Sequence, residues 1–141
     1  MAEGELASEV ITLDSSGLFT LLNRRDPDHQ RAKSALLGGG VPYLVPAGIL
    51  AEIAYLLEQR MPAAVDPFLA DVEDGAFVLD CGDEDMPRVR ELMARYDDPS
   101  LGFADAAVIA CAERSGGRVL TFDVRDFGVV AREGTIQVLP E

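Results

Sequence analysis

The sequence predicts an α/β fold in which helices pack against a mostly parallel sheet. Short apolar segments of strand length alternate with longer segments of helical character along all 141 residues. Such alternation is typical of parallel strands joined by right-handed crossovers. An apolar content of 48% is enough to build one buried core without disulfides or a structural metal. Because no repeat or low-complexity segment interrupts the chain, we expect a single domain.

The first half of the chain predicts two strands and three helices. The segment "EVITLD" reads as a buried strand and "YLV" as a short second one. "SGLFTLLN" predicts a short helix directly after the first strand, and "PDHQRAKSALL" predicts a second helix that begins at Pro27. "PAGILAEIAYLLEQR" predicts a strongly apolar helix over residues 46–60.

The second half continues the alternation with three further strands. "PAAVDPFLADVE" predicts a helix before the strand "AFVLD" at residues 76–80. An amphipathic helix follows in "EDMPRVRELMARY", with apolar residues at helical spacing at Val89, Leu92, Met93 and Tyr96. "SLGFADAAVIACAERSGG" predicts a helix from the N-cap candidate Ser100 to a glycine stop. The strand "RVLTF", a helical turn near "DFGVVA" and the strand "IQVL" complete the chain.

The composition narrows the class of protein. A formal net charge of -13 repels nucleic acids and lipid headgroups from most of the surface, so either the carboxylates serve solubility, or some hold a cation or a basic partner. No apolar run approaches the roughly 18 residues of a membrane span, and the acidic start does not resemble a signal peptide, so we expect a cytoplasmic protein. Cys81 and Cys111 are predicted to be buried free thiols.

Two aspartates follow predicted strands. Asp14 ends the first strand, and Asp123 ends the strand "RVLTF". Open α/β sheets bind their ligands at the carboxyl ends of the strands, so both residues are candidates for a functional site. The alternative is that each side chain caps the turn or helix that follows it.

Two more acids lie within apolar helices. Glu52 has only apolar neighbours in "GILAEIAYLL", and Asp105 shares a helical stripe with Val108, Ile109 and Ala112. An ionised carboxylate among core residues is costly unless it is paired or bound to a metal. An arginine partner, or a favourable place in the first turn of a helix, would also account for either acid.

Convergence of Asp14, Glu52, Asp105 and Asp123 would require protonation or a cation, because the four charges repel one another. Several hard oxygen ligands at one open site suit Mg²⁺ or Mn²⁺. Ions held in this way activate water and neutralise charge at phosphoryl centres. If they converge, the four acids therefore indicate metal-dependent cleavage of phosphodiesters.

The order of "ITLDSSGLFTLL", "VPAGILAEIAYLL", "LGFADAAVIACAER" and "VLTFDVRDFGVV" resembles PIN-domain ribonucleases, especially the VapC toxins of bacterial VapBC toxin–antitoxin pairs. The resemblance extends from about Val10 to Leu139. It implies a three-layer α/β/α fold with a mostly parallel five-stranded sheet. It also implies a single PIN-like domain over residues 9–141, preceded by an N-terminal extension at 1–8.

The resemblance assigns a role to individual residues. Asp14 would be the first metal ligand, Glu52 the helix glutamate, and Asp105 and Asp123 the third and fourth acids of the catalytic set. Three residues would support this set: Ser16 as the small hydroxyl residue after the first acid, Asp126 as a group that orients Asp123 or the adjacent turn, and Asp98 in a loop before the third motif.

The implied activity is Mg²⁺- or Mn²⁺-dependent hydrolysis of RNA that leaves a 5′-phosphate and a 3′-hydroxyl. The resemblance also implies a homodimer, silenced by a VapB antitoxin that inserts a C-terminal segment into the acidic site. Since the net charge opposes RNA binding, we expect a local basic patch, with the candidates Arg24, Arg25, Arg31 and Lys33. An ordinary solvated helix face is the alternative for these four residues.

Other functional classes fit the sequence less well. A catalytically inactive PIN-fold binding or scaffold module is the main alternative. A receiver domain would need adjacent acids after the first strand and a lysine after the last, but the only lysine is Lys33. A phosphatase of the haloacid dehalogenase type would need an aspartate where Ser16 stands, and no P-loop or serine hydrolase motif is present.

Overall fold

The computed structural model of the chain describes residues 10–37, 43–97 and 101–141. The proposed extension at 1–8, Asp98 and the N-cap candidate Ser100 lie outside the described residues. Within them the chain forms five strands and seven α-helices. These are β1 (Ile11–Leu13), α1 (Ser15–Leu22), α2 (His29–Leu37), β2 (Tyr43–Pro46), α3 (Ala47–Arg60), α4 (Val65–Glu73), β3 (Phe77–Asp80), α5 (Met86–Arg95), α6 (Phe103–Arg114), β4 (Arg118–Leu120), α7 (Val124–Ala131) and β5 (Gln137–Leu139).

The five strands form one parallel sheet in the order β3-β2-β1-β4-β5. This confirms the predicted α/β class and its parallel sheet. From β1 the chain builds outward through β2 and β3, and then returns to place β4 on the other side of β1. The reversal between β1 and β4 is the switch point at which α/β sheets bind ligands. Asp14 directly follows β1, and Asp123 lies three residues beyond β4.

The core follows the predicted periodicities. All three residues of β1 are buried, as expected for a strand covered by helices on both faces. On α3 the buried residues are Ile49, Ile53 and Leu57, which recur every four positions along one stripe of the helix. Full burial of each such side chain contributes about 1.5–3 kcal/mol relative to exposure.

Three local predictions were wrong. The second helix begins at His29 rather than Pro27, because the Asp26 carboxylate accepts a hydrogen bond from the Asp28 N–H at 2.8 Å and holds the chain in a turn. Cys81 is exposed after β3, whereas Cys111 is buried as expected. On α5, Val89 and Leu92 are buried but Met93 is 38% exposed.

Along the described parts of the chain, we find no helix with the length and apolar character needed to cross a membrane.

Close packing of α1 against β4 depends on one residue without a side chain. A Cβ added to Gly17 would lie 2.3 Å from the carbonyl oxygen of Leu120 and 2.8 Å from its carbonyl carbon. The Asp14 N–H donates to the same Leu120 oxygen at 3.1 Å. The start of α1 and the end of β4 are therefore in backbone contact, which brings Asp14 close to the residues after β4.

We predict that Gly17→Ala lowers the free energy of unfolding by about 3 kcal/mol, since a backbone oxygen cannot move aside as a flexible side chain would. Urea unfolding followed by circular dichroism measures this value. Gly128→Ala is the matched control, because Gly128 lies in α7 and a Cβ there meets nothing within 4 Å. That variant should gain about 0.5–1 kcal/mol from helix propensity. Equal stabilities for the two variants would contradict this account of the α1–β4 contact.

Candidate metal centre

Asp14 is a buried carboxylate at the start of α1. Only 2% of its surface is exposed. Its Oδ2 accepts hydrogen bonds from the Thr121 hydroxyl at 2.7 Å and the Ser16 hydroxyl at 2.9 Å. Although Asp14 occupies the N-cap position of α1, its side chain makes no capping hydrogen bond. The helix-capping interpretation therefore does not account for Asp14.

The second oxygen of Asp14 has no protein donor. Oδ1 is buried and accepts no hydrogen bond from any residue that the structure describes. Burial raises the pKa of Asp14, while the hydrogen bonds from Thr121 and Ser16 act in the opposite direction. A buried carboxylate oxygen without a donor is costly and is the expected state of a metal ligand in the absence of its ion.

Three further carboxylates converge beside Asp14. Asp105 lies in the first turn of α6, and Asp123 and Asp126 lie at the start of α7. One oxygen from each of these three residues can be chosen so that all lie within 4.8 Å of one another. Asp123 also caps α7, because its Oδ1 accepts the Asp126 N–H at 3.2 Å. The capping interpretation thus holds for Asp123, which also lies in the acidic cluster.

Repulsion within this acidic set is visible at Asp105. Its pKa is raised to about 7, first by burial and then by the negative charges of its neighbours. These neighbours are, in order of effect, Asp14, Asp123, Asp126 and Glu52. The five carboxylates therefore lie close enough to repel one another, and a divalent cation would relieve that repulsion.

Glu52 reaches the site from an exposed position. The expectation that Glu52 sits among core residues was wrong, because it lies on the exposed face of α3 while Ile49 and Ile53 face the core. Its Oε1 accepts a hydrogen bond from the hydroxyl of Ser15. Ser15 itself is buried. This contact holds an otherwise free glutamate beside Asp14.

A hydroxyl network connects the two halves of the site. The Ser16 hydroxyl accepts the Phe122 N–H at 3.0 Å, and the Thr121 hydroxyl accepts the Asp123 N–H at 3.0 Å. Both hydroxyls also donate to Asp14. The segment after β4 is thereby fixed to the segment after β1.

Sequence reasoning missed Thr121 and Ser15. Thr121 stands two residues before Asp123, as Ser16 stands two residues after Asp14. A hydroxyl residue two positions from each strand-end acid was the pattern that could have identified Thr121. For Ser15, the only signal in the sequence was its position directly after Asp14.

The oxygen donors present fit a hard divalent cation. Asp105, Asp123 and Asp126 form the tight cluster, the Oδ1 atom of Asp14 lacks a donor, and Glu52 is held at the rim by Ser15. Asp126, to which the resemblance gave only a supporting role, is thus one of the three clustered carboxylates. Carboxylate oxygens without histidine or cysteine suit Mg²⁺ or Mn²⁺.

The PIN domain family model matches residues 11–133 of this chain. The chain belongs to the PIN domain family. The resemblance drawn from the four motifs is confirmed by this match. Ribonuclease VapC26 of Mycobacterium tuberculosis (strain ATCC 25618 / H37Rv) is 29% identical over 123 residues, which cover 84% of this chain and 90% of VapC26.

Two crystal structures share the PIN fold with this chain. VapC20 of Mycobacterium tuberculosis, described as a sarcin-ricin loop cleaving toxin, superposes with a TM-score of 0.70 at 20% identity, covering 84% of this chain and 94% of VapC20. VapBC2 from Rickettsia felis, bound to a DNA fragment from their promoter, gives a TM-score of 0.65 at 13% identity. That match covers 92% of this chain and 96% of the Rickettsia chain. At these identities the two structures support the fold.

The four predicted RNA-contacting residues of this PIN domain do not line one cavity. Arg24 and Arg25 line a cavity of about 490 Å³, whereas Arg31 lines another of about 530 Å³. Arg31 also pairs with Asp28 at 3.1 Å. Lys33 is exposed on α2 and lines neither cavity.

We predict that Asp105→Asn stabilises the metal-free PIN domain at pH 8. Because the folded-state pKa of Asp105 is about 7 against an ordinary 3.8, its contribution to stability is present in full below pH 3.8 and is lost as the pH rises through 7. Water screens much of the repulsion at this half-exposed site, so we expect a gain of about 1 kcal/mol, or roughly 3–6 °C in Tm.

The measurement is thermal unfolding in EDTA at pH 8 and at pH 5. The gain should shrink at pH 5, where the folded wild-type carboxyl is mostly protonated. Asp71→Asn is the control, because Asp71 is an exposed acid on α4 outside the cluster. If Asp105→Asn is less stable than wild type at pH 8, repulsion among the ionised carboxylates does not destabilise the folded protein.

Proposed function

We propose that this PIN domain is a Mg²⁺- or Mn²⁺-dependent endoribonuclease and the toxin of a toxin–antitoxin pair. The observation that carries the proposal is the convergence of Asp105, Asp123 and Asp126 next to an Asp14 whose Oδ1 lacks a donor. Family membership and the ribonuclease and toxin names of the relatives support the same activity. The domain boundaries at 9–141 and the roles of the individual acids belong to this proposal.

Some residues of the centre would bind the cation, and others would position the residues that bind it. Asp14, Asp105, Asp123 and Glu52 would hold the cation directly or through water, with Asp126 at the same cluster. The chemistry that such a cation supplies is activation of water as a nucleophile and neutralisation of charge at the phosphodiester. Ser16 and Thr121 would orient Asp14, since both donate to its Oδ2.

Hydrolysis places two requirements on the protein. The attacking water must lie in line with the scissile bond, and the leaving 3′-oxygen must receive a proton or be stabilised as an anion. The hydroxyls of Ser16 and Thr121 would keep the Asp14 carboxylate in one orientation toward a cation held by the acids. We expect products with a 5′-phosphate and a 3′-hydroxyl.

The partners follow from the same proposal. The Rickettsia felis relative is a VapBC pair, which supports a VapB-like antitoxin as the partner of this chain. A basic segment of such a partner, for example an arginine, would neutralise the acidic centre. We propose a homodimer acting in the cytoplasm, with RNA held by cations outside the centre. Arg24, Arg25, Arg31 and Lys33 remain candidates for that contact.

We predict that purified wild-type protein cleaves RNA in Mg²⁺ or Mn²⁺ and not in EDTA. Asp105→Asn should reduce the rate by about 100-fold or more, because the loss of one ligand disturbs both charge neutralisation and water activation. Total RNA resolved on denaturing gels is the readout, and Asp71→Asn should cleave as wild type does. A scaffold module would behave differently: wild type and Asp105→Asn would both be inert, and calorimetry would detect no binding of divalent metal.

We predict that Thr121→Val raises the Mn²⁺ concentration for half-maximal cleavage by about tenfold, since outer hydrogen bonds to ligating carboxylates tune metal affinity. Thr121→Ser should restore the wild-type requirement, because the hydroxyl rather than the methyl group contacts Asp14. Thr12→Val is the matched control, because Thr12 is also buried but its hydroxyl contacts the sulfur of Cys111 rather than a carboxylate. An unchanged metal requirement in Thr121→Val would remove Thr121 from the positioning role.

A further inference from the structure

A cavity of about 490 Å³ lies at the end of α1 and is rich in arginine. Its polar lining consists of Arg24, Arg25, Arg60 and Asn23, and its floor of Phe19, Leu22 and Met61. The Arg60 guanidinium lies 5.8 Å from the centre of the Phe19 ring, a cation–π contact that holds it over the apolar floor. Three cations around one cavity are unexpected in a chain with 25 acids and 12 lysines and arginines.

Within the described residues, these three cations lack the carboxylate partners that several other arginines have. Arg88, Arg95 and Arg114 are engaged in ion pairs with acids on neighbouring elements. Arg24, Arg25 and Arg60 form no ion pair with an acid in the parts of the chain that the structure describes.

The acid nearest in sequence is already engaged. The Asp26 carboxylate accepts the Asp28 N–H and so serves the turn before α2. The cavity is therefore a local electropositive site on an otherwise acidic protein.

The cavity and the acidic centre lie along the same pair of helices. At one end of the pair, the Ser15 hydroxyl on α1 contacts Glu52 on α3. Further along, Phe19 on α1 contacts Arg60 on α3. The eight residues of α1 correspond to a length of about 12 Å. A ligand bound in the cavity can therefore reach the acidic centre over about that distance.

We propose that the cavity lined by Arg24, Arg25 and Arg60 binds the phosphate backbone of single-stranded RNA about two to four nucleotides from the bond that is cut. This proposal rests on the proposed ribonuclease function. Guanidinium groups bind phosphate oxygens through paired hydrogen bonds. The side-chain NH₂ group of Asn23 adds a further hydrogen-bond donor. Phosphates held here would offset the repulsion between RNA and the rest of the surface.

Charge and shape favour RNA over an acidic protein segment as the occupant. The acidic centre repels a polyanion, so a substrate needs cations near that centre but outside it. A partner that blocks the centre is expected to be basic, and a basic segment would be repelled by this cavity. Because Phe19 is covered by Arg60 and packs on the core, the site is suited to backbone phosphates rather than to stacked bases.

The test compares two triple variants with the same net charge. Arg24→Gln/Arg25→Gln/Arg60→Gln removes the cations of the cavity, and Arg90→Gln/Arg95→Gln/Arg132→Gln removes three exposed cations elsewhere. Binding of a short fluorescein-labelled single-stranded RNA is measured by anisotropy in EDTA over a range of salt concentrations. Because no turnover is needed, the assay is independent of the cleavage assay that tests the proposed function.

The cavity triple should weaken RNA binding about 10- to 100-fold and reduce the slope of log affinity against log salt by about 2, since each lost phosphate contact contributes about 0.7. The control triple should retain affinity within a factor of about 3, the loss expected from net charge alone. If Arg60→Gln prevents folding, Arg24→Gln/Arg25→Gln should still reduce the slope by about 1.

Three results would overturn the proposal. RNA binding by the cavity triple could equal that of wild type, the two triples could lose equal affinity, or wild type could fail to bind RNA. A cavity triple that binds RNA normally but loses affinity for a co-expressed antitoxin would assign the cavity to a protein segment instead.

Discussion

Burial of the Asp14 carboxylate at the switch point of the sheet is the constraint on which the rest of the site depends. A desolvated carboxylate needs compensation on both oxygens. Thr121 and Ser16 supply it at Oδ2, and within the described structure nothing supplies it at Oδ1. Only one oxygen of Asp14 is therefore compensated for its desolvation. A cation bound to the other oxygen would also neutralise the neighbouring acids, which is consistent with several acids lying close to this position.

The fold serves this constraint through backbone contact. Gly17 lets α1 approach the carbonyl oxygen of Leu120, and that approach brings the hydroxyl of Thr121 within 2.7 Å of Asp14. The same strand end continues into α7, whose first turn carries Asp123 and Asp126. A parallel sheet that reverses direction between β1 and β4 thus collects acids from distant parts of the chain.

The sequence predicted what depends on local patterns. Strand-length apolar runs indicated a mostly parallel sheet, and acids at strand ends indicated the edge of the sheet at which the acidic cluster lies. Exposure of Glu52 could not be predicted, because its surroundings depend on how α3 packs against α1. Thr121 escaped attention because its partner Asp14 lies 107 positions away. The arginine cavity could not be predicted, because it forms where the ends of α1 and α3 meet and these ends are distant in sequence.

The proposed function depends on a divalent cation held by the acidic cluster, with Asp14 as one ligand. Calorimetric titration of the metal-free protein with Mn²⁺ at pH 8 tests it most directly, with Asp14→Asn measured in parallel. Wild type should bind Mn²⁺ saturably, and a folded Asp14→Asn should bind it at least tenfold more weakly. Equal affinities of the two proteins, or no binding by wild type, would contradict it.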